Sequence, residues 1–151
     1  MPTISVLPAT DTDRSWAAAL LSGQEPWVTL GVSYQTCLAN CTDPDLDLYI
    51  AHREGVRCGM MLIHPKGFAG SPYIKSIATD PDLRNTGAGF TMMHFIEEKY
   101  GSYTGHIALC VSSFNTRAKH FYQRSGYRQV GVLQDYIISG ASEIIMVKKI
   151  G

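Results

Sequence analysis

Residues 73–89 read Tyr73-Ile74-Lys75-Ser76-Ile77-Ala78-Thr79-Asp80-Pro81-Asp82-Leu83-Arg84-Asn85-Thr86-Gly87-Ala88-Gly89. From Pro72 to Thr79 the run is short and rich in β-branched and aromatic residues, the pattern of a strand. Asp80-Pro81 ends it, because proline brings no N–H to a ladder and restricts the residue before it. After Gly89, Met92 or Met93, Ile96 and Tyr100 recur at helical spacing. The stretch is therefore a strand, a tight loop and a helix. Gly87 and Gly89 let the backbone turn sharply and approach a ligand closely. The N–H groups of the helix's first turn point into the loop, with the positive end of the helix dipole behind them. Arg84 adds a charge-assisted donor, so the loop reads as an anion site for a phosphate or pyrophosphate. From the glycines alone, an ordinary strand-to-helix turn reads the same way. A Walker loop and the three-glycine dinucleotide fingerprint are both absent.

The pattern on either side of this stretch is mixed. Ile4-Ser5-Val6-Leu7 is a short strand. Asp11 or Thr12 caps a helix running to Leu21, with Gly23 as its stop. Pro26 suits the first turn of a second helix, in which Trp27, Leu30, Tyr34, Cys37 or Leu38, and Cys41 form one buried face. Leu46, Leu48 and Ile50 alternate with Asp47 and Tyr49, and Glu54-Gly55 reads as a hairpin turn. Val56 to Ile63 is a mostly apolar strand ended by Pro65, Lys66 and Gly67. His106 to Ser112 is a fifth strand, and Asn115 opens a helix that stops before Gly126. Gln129 to Ile138 and Glu143 to Lys149 are two last strands, parted by Ser139-Gly140-Ala141. The order β, α, α, β, β, β, α, β, α, β, β is neither a regular βαβ alternation nor all-β, and it predicts a mixed sheet with helices on its faces.

Composition limits the function classes. The chain has 151 residues, 45% apolar and 17% charged, with 13 Lys plus Arg against 13 Asp plus Glu. One domain over 1–151 is expected at this length. The zero net charge argues against a nucleic-acid partner, whose footprint is strongly basic. The longest apolar run, Met60-Met61-Leu62-Ile63, is far short of a membrane span. The cysteines at 37, 41, 58 and 110 are too sparse for a disulfide scaffold. The expectation is a soluble cytoplasmic protein with free thiols. Cys37 and Cys41 with His64 make a weak metal pattern, and no metal is expected.

A second motif stands at Asn115-Thr116-Arg117-Ala118-Lys119-His120-Phe121-Tyr122-Gln123-Arg124-Ser125-Gly126-Tyr127. Ala118, Phe121 and Tyr122 share one helix face, and Asn115 can cap the helix or reach a ligand. Taken alone, this helix is also what ordinary packing produces. Taken together, the two motifs resemble those of the GNAT superfamily of acetyl-CoA-dependent N-acetyltransferases. Arg84, Gly87 and Gly89 match the family's phosphate loop. Ile77 to Pro81 is similar to its fourth strand and exit, and Asn115, Ala118, Phe121, Tyr122, Gly126 and Tyr127 match its later signature.

The resemblance implies an α/β (α+β) fold with a mixed, mostly antiparallel sheet of about seven strands, flanked by helices and splayed between strands four and five. It implies that the backbone of Ile77, Ala78 and Thr79 pairs with the pantetheine arm of acetyl-CoA. One of those N–H groups would stabilise the developing oxyanion. Arg84, Asn85, Thr86, Gly87, Ala88 and Gly89 would hold the pyrophosphate, and Asn115 the arm. Tyr122 would protonate the leaving thiolate as general acid; a core aromatic with a satisfied hydroxyl is the alternative. The usual family carboxylates are missing: Cys110 and Tyr73 stand where a glutamate is common. A water relay, Glu25, Tyr73 and Tyr136 are the remaining candidates for the base. Tyr34, Tyr73 and Tyr136 could line an acceptor slot, and Asp43, Asp45 and Asp47 could attract a cationic amine. The implied acceptor is a small-molecule amine or a protein or peptide amine, and the implied assembly a monomer or homodimer. The missing carboxylates also motivate an alternative, a non-catalytic acyl-CoA-binding regulatory module.

Overall fold

In the unbroken apolar run Cys58–Ile63 every residue is buried, as expected of a strand covered on both faces. The computed structural model describes residues 3–84 and 86–151. Its elements are β1 (Ile4–Pro8), α1 (Asp11–Ser22), α2 (Trp27–Leu30), α3 (Tyr34–Cys41), β2 (Asp47–Arg53), β3 (Val56–Phe68) and β4 (Ser71–Thr79). A 3-10 turn (Pro81–Leu83) follows, then α4 (Ala88–Tyr100), β5 (His106–Ser112), α5 (Thr116–Arg124), β6 (Arg128–Leu133) and β7 (Glu143–Lys149). The seven strands form one sheet in the order β1-β2-β3-β4-β5-β7-β6. All neighbours are antiparallel except β4 and β5, which run parallel.

Alternation along the strands sorts the core into two layers. Leu48, Ile50, Met60, Leu62 and Ala78 pack against Ala17, Ala18 and Leu21 of α1 and Cys37 and Cys41 of α3. Tyr49, Met61, Ile63, Ile74, Ile107, Leu109 and Val111 face the other way, onto Met92, Met93 and Ile96 of α4 and Tyr122 of α5. Each fully buried side chain of this size contributes about 1.5–3 kcal/mol.

Three expected boundaries differ. The helix predicted from Pro26 to Cys41 is two helices, because Gly31 takes φ +70 and Ser33 restarts the backbone, its side chain accepting from the Thr36 N–H. The shared buried face therefore fails at Tyr34, which is 36% exposed. The third strand does not stop at Pro65 but runs to Phe68, its pairing irregular between His64 and Phe68. The sixth strand ends at Leu133, and residues 134–142 are a loop. Asp135 turns that chain at φ +47, and its carboxylate accepts the Gly140 N–H at 2.7 Å. Glu54-Gly55 is the hairpin turn expected, both residues at positive φ.

One irregularity positions the site. Leu62 pairs with Ser76 but Ile63 with Ile74, so Lys75 is the extra residue of a bulge. The bulge places Tyr73 and Ser76 on the α1/α3 face of β4, and Ile74 and Ile77 on the α4 face.

Candidate active site

The parallel pair β4 and β5 is joined only at Tyr73–Ala108 and Ile74–Leu109. Beyond that point β4 continues to Thr79 and β5 to Ser112, without pairing to each other. The sheet is thus splayed between its fourth and fifth strands. The β5-facing edge of β4 in the Ile77-Ala78-Thr79 stretch has no partner strand, while its other edge pairs with Met61, Met60 and Gly59 of β3. The glycine-bearing loop before α4 and the start of α5 follow directly at this open end.

Gly87 is the N-cap of α4 at φ +86, a left-handed conformation that disfavours any side chain. No side chain caps the helix there, and the first intrahelical bond runs from the Thr91 N–H to Gly87 O. Among the described residues, the N–H groups of Ala88, Gly89 and Phe90 meet no acceptor and can serve an outside one. Gly89 serves packing rather than turning: an added Cβ would stand 3.1 Å from Phe121 Cζ. The rings of Phe90 and Phe121 lie 4.9 Å apart. The two motifs, about thirty residues apart in sequence, thus meet side by side.

Arg84 is half-buried, and its Nη2 donates to Gln24 Oε1 at 3.2 Å. Gln24 in turn donates through Nε2 to Thr79 O at 3.3 Å and Leu20 O at 3.1 Å. This bracket ties the end of α1 to the exit of β4, and among the described residues the other Arg84 nitrogens meet no partner. The Thr86 hydroxyl donates to Leu83 O at 2.8 Å and closes the loop behind it. Asn85, expected among the loop's binding residues, lies outside the described residues.

Asn115 is the N-cap of α5, its Oδ1 accepting the Ala118 N–H at 3.4 Å, so its amide N–H₂ remains available. Tyr122 is 8% exposed and packs edge-on against Phe121 at 5.5 Å and Tyr127 at 6.3 Å. Burial pushes its phenol well above the usual tyrosine value. The group is protonated at neutral pH and can donate, as a general acid requires.

On the opposite face of the sheet, Tyr73, Cys110, Ser112 and Glu143 form a polar row beside the splay. Cys110 pairs with Ile145 and Ser112 with Glu143 across β5 and β7, so these side chains share a face with Tyr73. The Ser112 hydroxyl donates to Glu143 Oε2 at 2.8 Å, and both residues are buried. Burial raises Glu143 above the ordinary glutamate value, and the Ser112 bond partly offsets this. Burial, then the adjoining Cys110 thiol, pushes Tyr73 far up. The Glu143 charge acts on both Tyr73 and Cys110, and Tyr136 of the loop 134–142 acts on Tyr73. The loop is tied to the end of β5 by Ser113 N–H to Ser142 O at 2.8 Å.

Sequence reasoning missed Glu143. It stands first in the strand run Glu143 to Lys149, and nothing local distinguishes it from a loop-edge carboxylate. Only the pairing of β7 with β5 brings it to Ser112. Glu25, a candidate base from sequence, is exposed and spends both carboxylate oxygens on Thr29 at the start of α2. Those bonds hold it below the ordinary glutamate value. The acidic stretch also lies elsewhere. Asp47 pairs with Ile63, which pairs with Ile74, so it sits at the joined end of the sheet. There it accepts from Tyr100 Oη at 2.6 Å. Cys37 and Cys41 are buried between α1 and α3, and no metal-holding cluster occurs among the described residues. No helix among the described residues is long and apolar enough to cross a membrane.

This architecture recurs in known proteins. A GNAT-family protein of Desulfovibrio desulfuricans superposes with a TM-score of 0.80 over 99% of this chain and 100% of its own, at 14% identity. A GNAT family acetyltransferase of Elizabethkingia anophelis, solved with acetyl-CoA bound, gives 0.73 over 97% and 98%, at 18% identity. At such identities the likeness is one of fold. An uncharacterized N-acetyltransferase of Methanocaldococcus jannaschii is 33% identical over 82 residues, 53% of each chain, so the match spans about half the length of that relative. Residues 13–127 match the sequence model of the acetyltransferase (GNAT) family, with the splayed strands, loop and Asn115–Tyr127 helix inside or at the edge of the match. The chain belongs to the GNAT acetyltransferase family.

Proposed function

We propose that the protein is an N-acetyltransferase, carrying the acetyl group of acetyl-CoA to a primary amine by direct attack in a ternary complex. The observation that carries this reading is one arrangement. The glycine-capped start of α4 and the unpaired edge of β4 adjoin at the splayed end of the sheet, and the Tyr122 phenol, kept protonated by burial, lies in the core layer on the α4 face. The residues present fit the cosubstrate. Ala88, Gly89 and Phe90 offer N–H groups at a helix start to the pyrophosphate, with Arg84 and Thr86 beside them. Ile77, Ala78 and Thr79 offer an open strand edge to the amide-bearing arm, and Asn115 a free amide. A backbone N–H of that edge polarises the thioester carbonyl and holds its developing charge. Tyr122 gives its proton to the departing thiolate.

Residues 1–151 act as one domain in this reading, in the cytoplasm, as a monomer or homodimer. The acceptor is a small-molecule amine or the amine of a protein or peptide. Neither nucleic acid nor a metal takes part. The alternative of a non-catalytic acyl-CoA-binding module drew its motive from the carboxylates missing at Tyr73 and Cys110. Glu143, on the same face, removes that motive.

The test joins binding and turnover. Calorimetric titration with acetyl-CoA should show a single site. The protein mixed with acetyl-CoA and a broad panel of primary amines and peptides should release free CoA thiol with at least one acceptor. Absence of release above hydrolysis across the whole panel would sink the catalytic reading, and absence of binding would sink the site.

A further inference from the structure

An amine that is protonated in water must lose a proton before it can attack a thioester, and neither position where the family commonly places a glutamate carries one here. Glu143 is the carboxylate the fold brings to that place. It is 8% exposed, opposite Ser112 and diagonal to Cys110 on the face of the sheet that Tyr73 shares. Diagonal neighbours on adjacent strands lie about 7–8 Å apart, within reach of a glutamate side chain or one water. Burial without an opposite charge is costly for a carboxylate, and the influences on Glu143 are burial and the Ser112 hydroxyl, neither of them a cation. Its Oε2 is held by Ser112 at 2.8 Å, which fixes the group at the open end of the splay and leaves Oε1 unassigned to any hydrogen bond among the described residues.

We propose that Glu143 is the general base of the acetyl transfer, taking the proton of the incoming ammonium directly or through one water. The inference rests on the acetyltransferase reading above. The ammonium gives one proton to the Glu143 carboxylate, and the freed lone pair forms the N–C bond at the thioester carbonyl. The C–S bond then breaks, and the thiolate takes a proton from Tyr122. The second amine proton returns to Tyr122 through solvent, so one amide and one thiol form and one proton is released from Glu143 to water. The upward displacement of the Glu143 carboxyl suits the role, since a base nearer the working pH removes a proton more effectively. The titratable groups facing it are Tyr73 on β4, Cys110 on β5 and Tyr136 on the loop 134–142, with His64 paired beside Tyr73 on β3. Tyr73 and Cys110 are pushed up and stay neutral around pH 7, so Glu143 is the carboxylate that titrates within this row.

The experiment compares the full-length wild type with Glu143→Gln, using acetyl-CoA and a panel of primary amines of graded basicity, from acidic to alkaline pH. Acetyl-CoA affinity should be unchanged in E143Q, while kcat/KM at neutral pH falls by about 10²–10⁴-fold. The deficit should shrink as the pH approaches the amine's own pKa and for weakly basic amines. Glu143→Asp should recover part of the rate. Should E143Q fail to fold, Ser112→Ala decides. Losing the hydrogen bond favours the protonated carboxyl, so the acid limb of the pH profile should move to higher pH with the alkaline plateau retained. A folded E143Q that matches the wild type at neutral pH, or an S112A profile that does not move, overturns the assignment while leaving an active acetyltransferase. A wild type inactive towards every amine overturns the acetyltransferase reading itself.

Discussion

Replacing Tyr122 by phenylalanine separates chemistry from packing at one atom. The ring stays where it is, against Phe121 at 5.5 Å and Tyr127 at 6.3 Å, and the residue is already 8% exposed. Burial is the influence on its phenol, and among the described residues no hydrogen bond accompanies it. A structural hydrogen bond would be worth about 0.5–1.5 kcal/mol, and none is lost here. Y122F should therefore lie within about 0.5 kcal/mol of the wild type. At about 2–4 °C per kcal/mol for a chain of this size, that is a melting shift of about 2 °C or less. The general acid, by contrast, contributes about 10²–10⁴-fold, or about 2.7–5.4 kcal/mol of barrier. Calorimetry with acetyl-CoA, a thermal melt and free-thiol release with an accepted amine make the assay. The expected pattern is intact melting, intact acetyl-CoA affinity and a turnover loss of at least about a hundredfold. Turnover within about threefold of the wild type would refute the acid role. A melting loss of several degrees would show that the hydroxyl holds structure instead.

Gly87→Ala forces a side chain into the left-handed region with nothing within 4 Å to clash, so the cost is conformational, about 1–2 kcal/mol, read as a melting loss of about 2–8 °C. Gly89→Ala should also destabilise despite the better helix propensity of alanine, because its Cβ would stand 3.1 Å from the Phe121 ring. Combining it with Phe121→Leu should show a favourable coupling of about 0.5–3 kcal/mol in denaturant melts, and simple additivity would refute the contact. Glu143, raised in the folded state, binds its proton more tightly folded than unfolded, so stability falls as pH rises from the ordinary glutamate value through the folded one. Glu143→Gln removes that loss: the variant should match the wild type in acid and exceed it at neutral pH, by about 1.4 kcal/mol for each unit of displacement. Parallel stability curves against pH would refute it.

The parts of the fold that sequence revealed are those fixed by local chemistry. The loop Arg84–Gly89 was legible because a glycine at a left-handed helix start and a strand-ending Asp-Pro are local facts. Asn115 was legible as a cap for the same reason. The break at Gly31 was hidden because Trp27, Leu30, Cys37 and Cys41 keep helical spacing across it, and periodicity does not register a left-handed residue between two short helices. The end of β6 at Leu133 was hidden because Tyr136-Ile137-Ile138 is as β-prone as the strand before it, and the Asp135 turn is set by a contact with Gly140 rather than by residue type. The bulge at Lys75 leaves no mark in sequence, yet it decides that Tyr73 and Ser76 face one side and Ile74 and Ile77 the other.

That bulge also gives the proposed chemistry its geometry. Tyr122 belongs to the layer with α4 and Ile74, whereas Tyr73, Cys110, Ser112 and Glu143 belong to the opposite face. The sheet separates the two, except where β4 and β5 part after Ile74 and Leu109. A thioester lying in that gap exposes one side to the Tyr122 layer and the other to the Glu143 row. In direct attack, the amine adds to the carbonyl carbon from one face of the thioester plane, and the thiolate leaves when the tetrahedral intermediate collapses. An acid on the Tyr122 face and a base on the Glu143 face are then placed for the two proton transfers of the proposed reaction, one to the thiolate and one from the amine. Neither can substitute for the other, because the paired part of the sheet stands between them. In the proposed mechanism Cys110 can stand at a common glutamate position because a carboxylate on the same face, Glu143 one strand further along, would serve the same side of the gap.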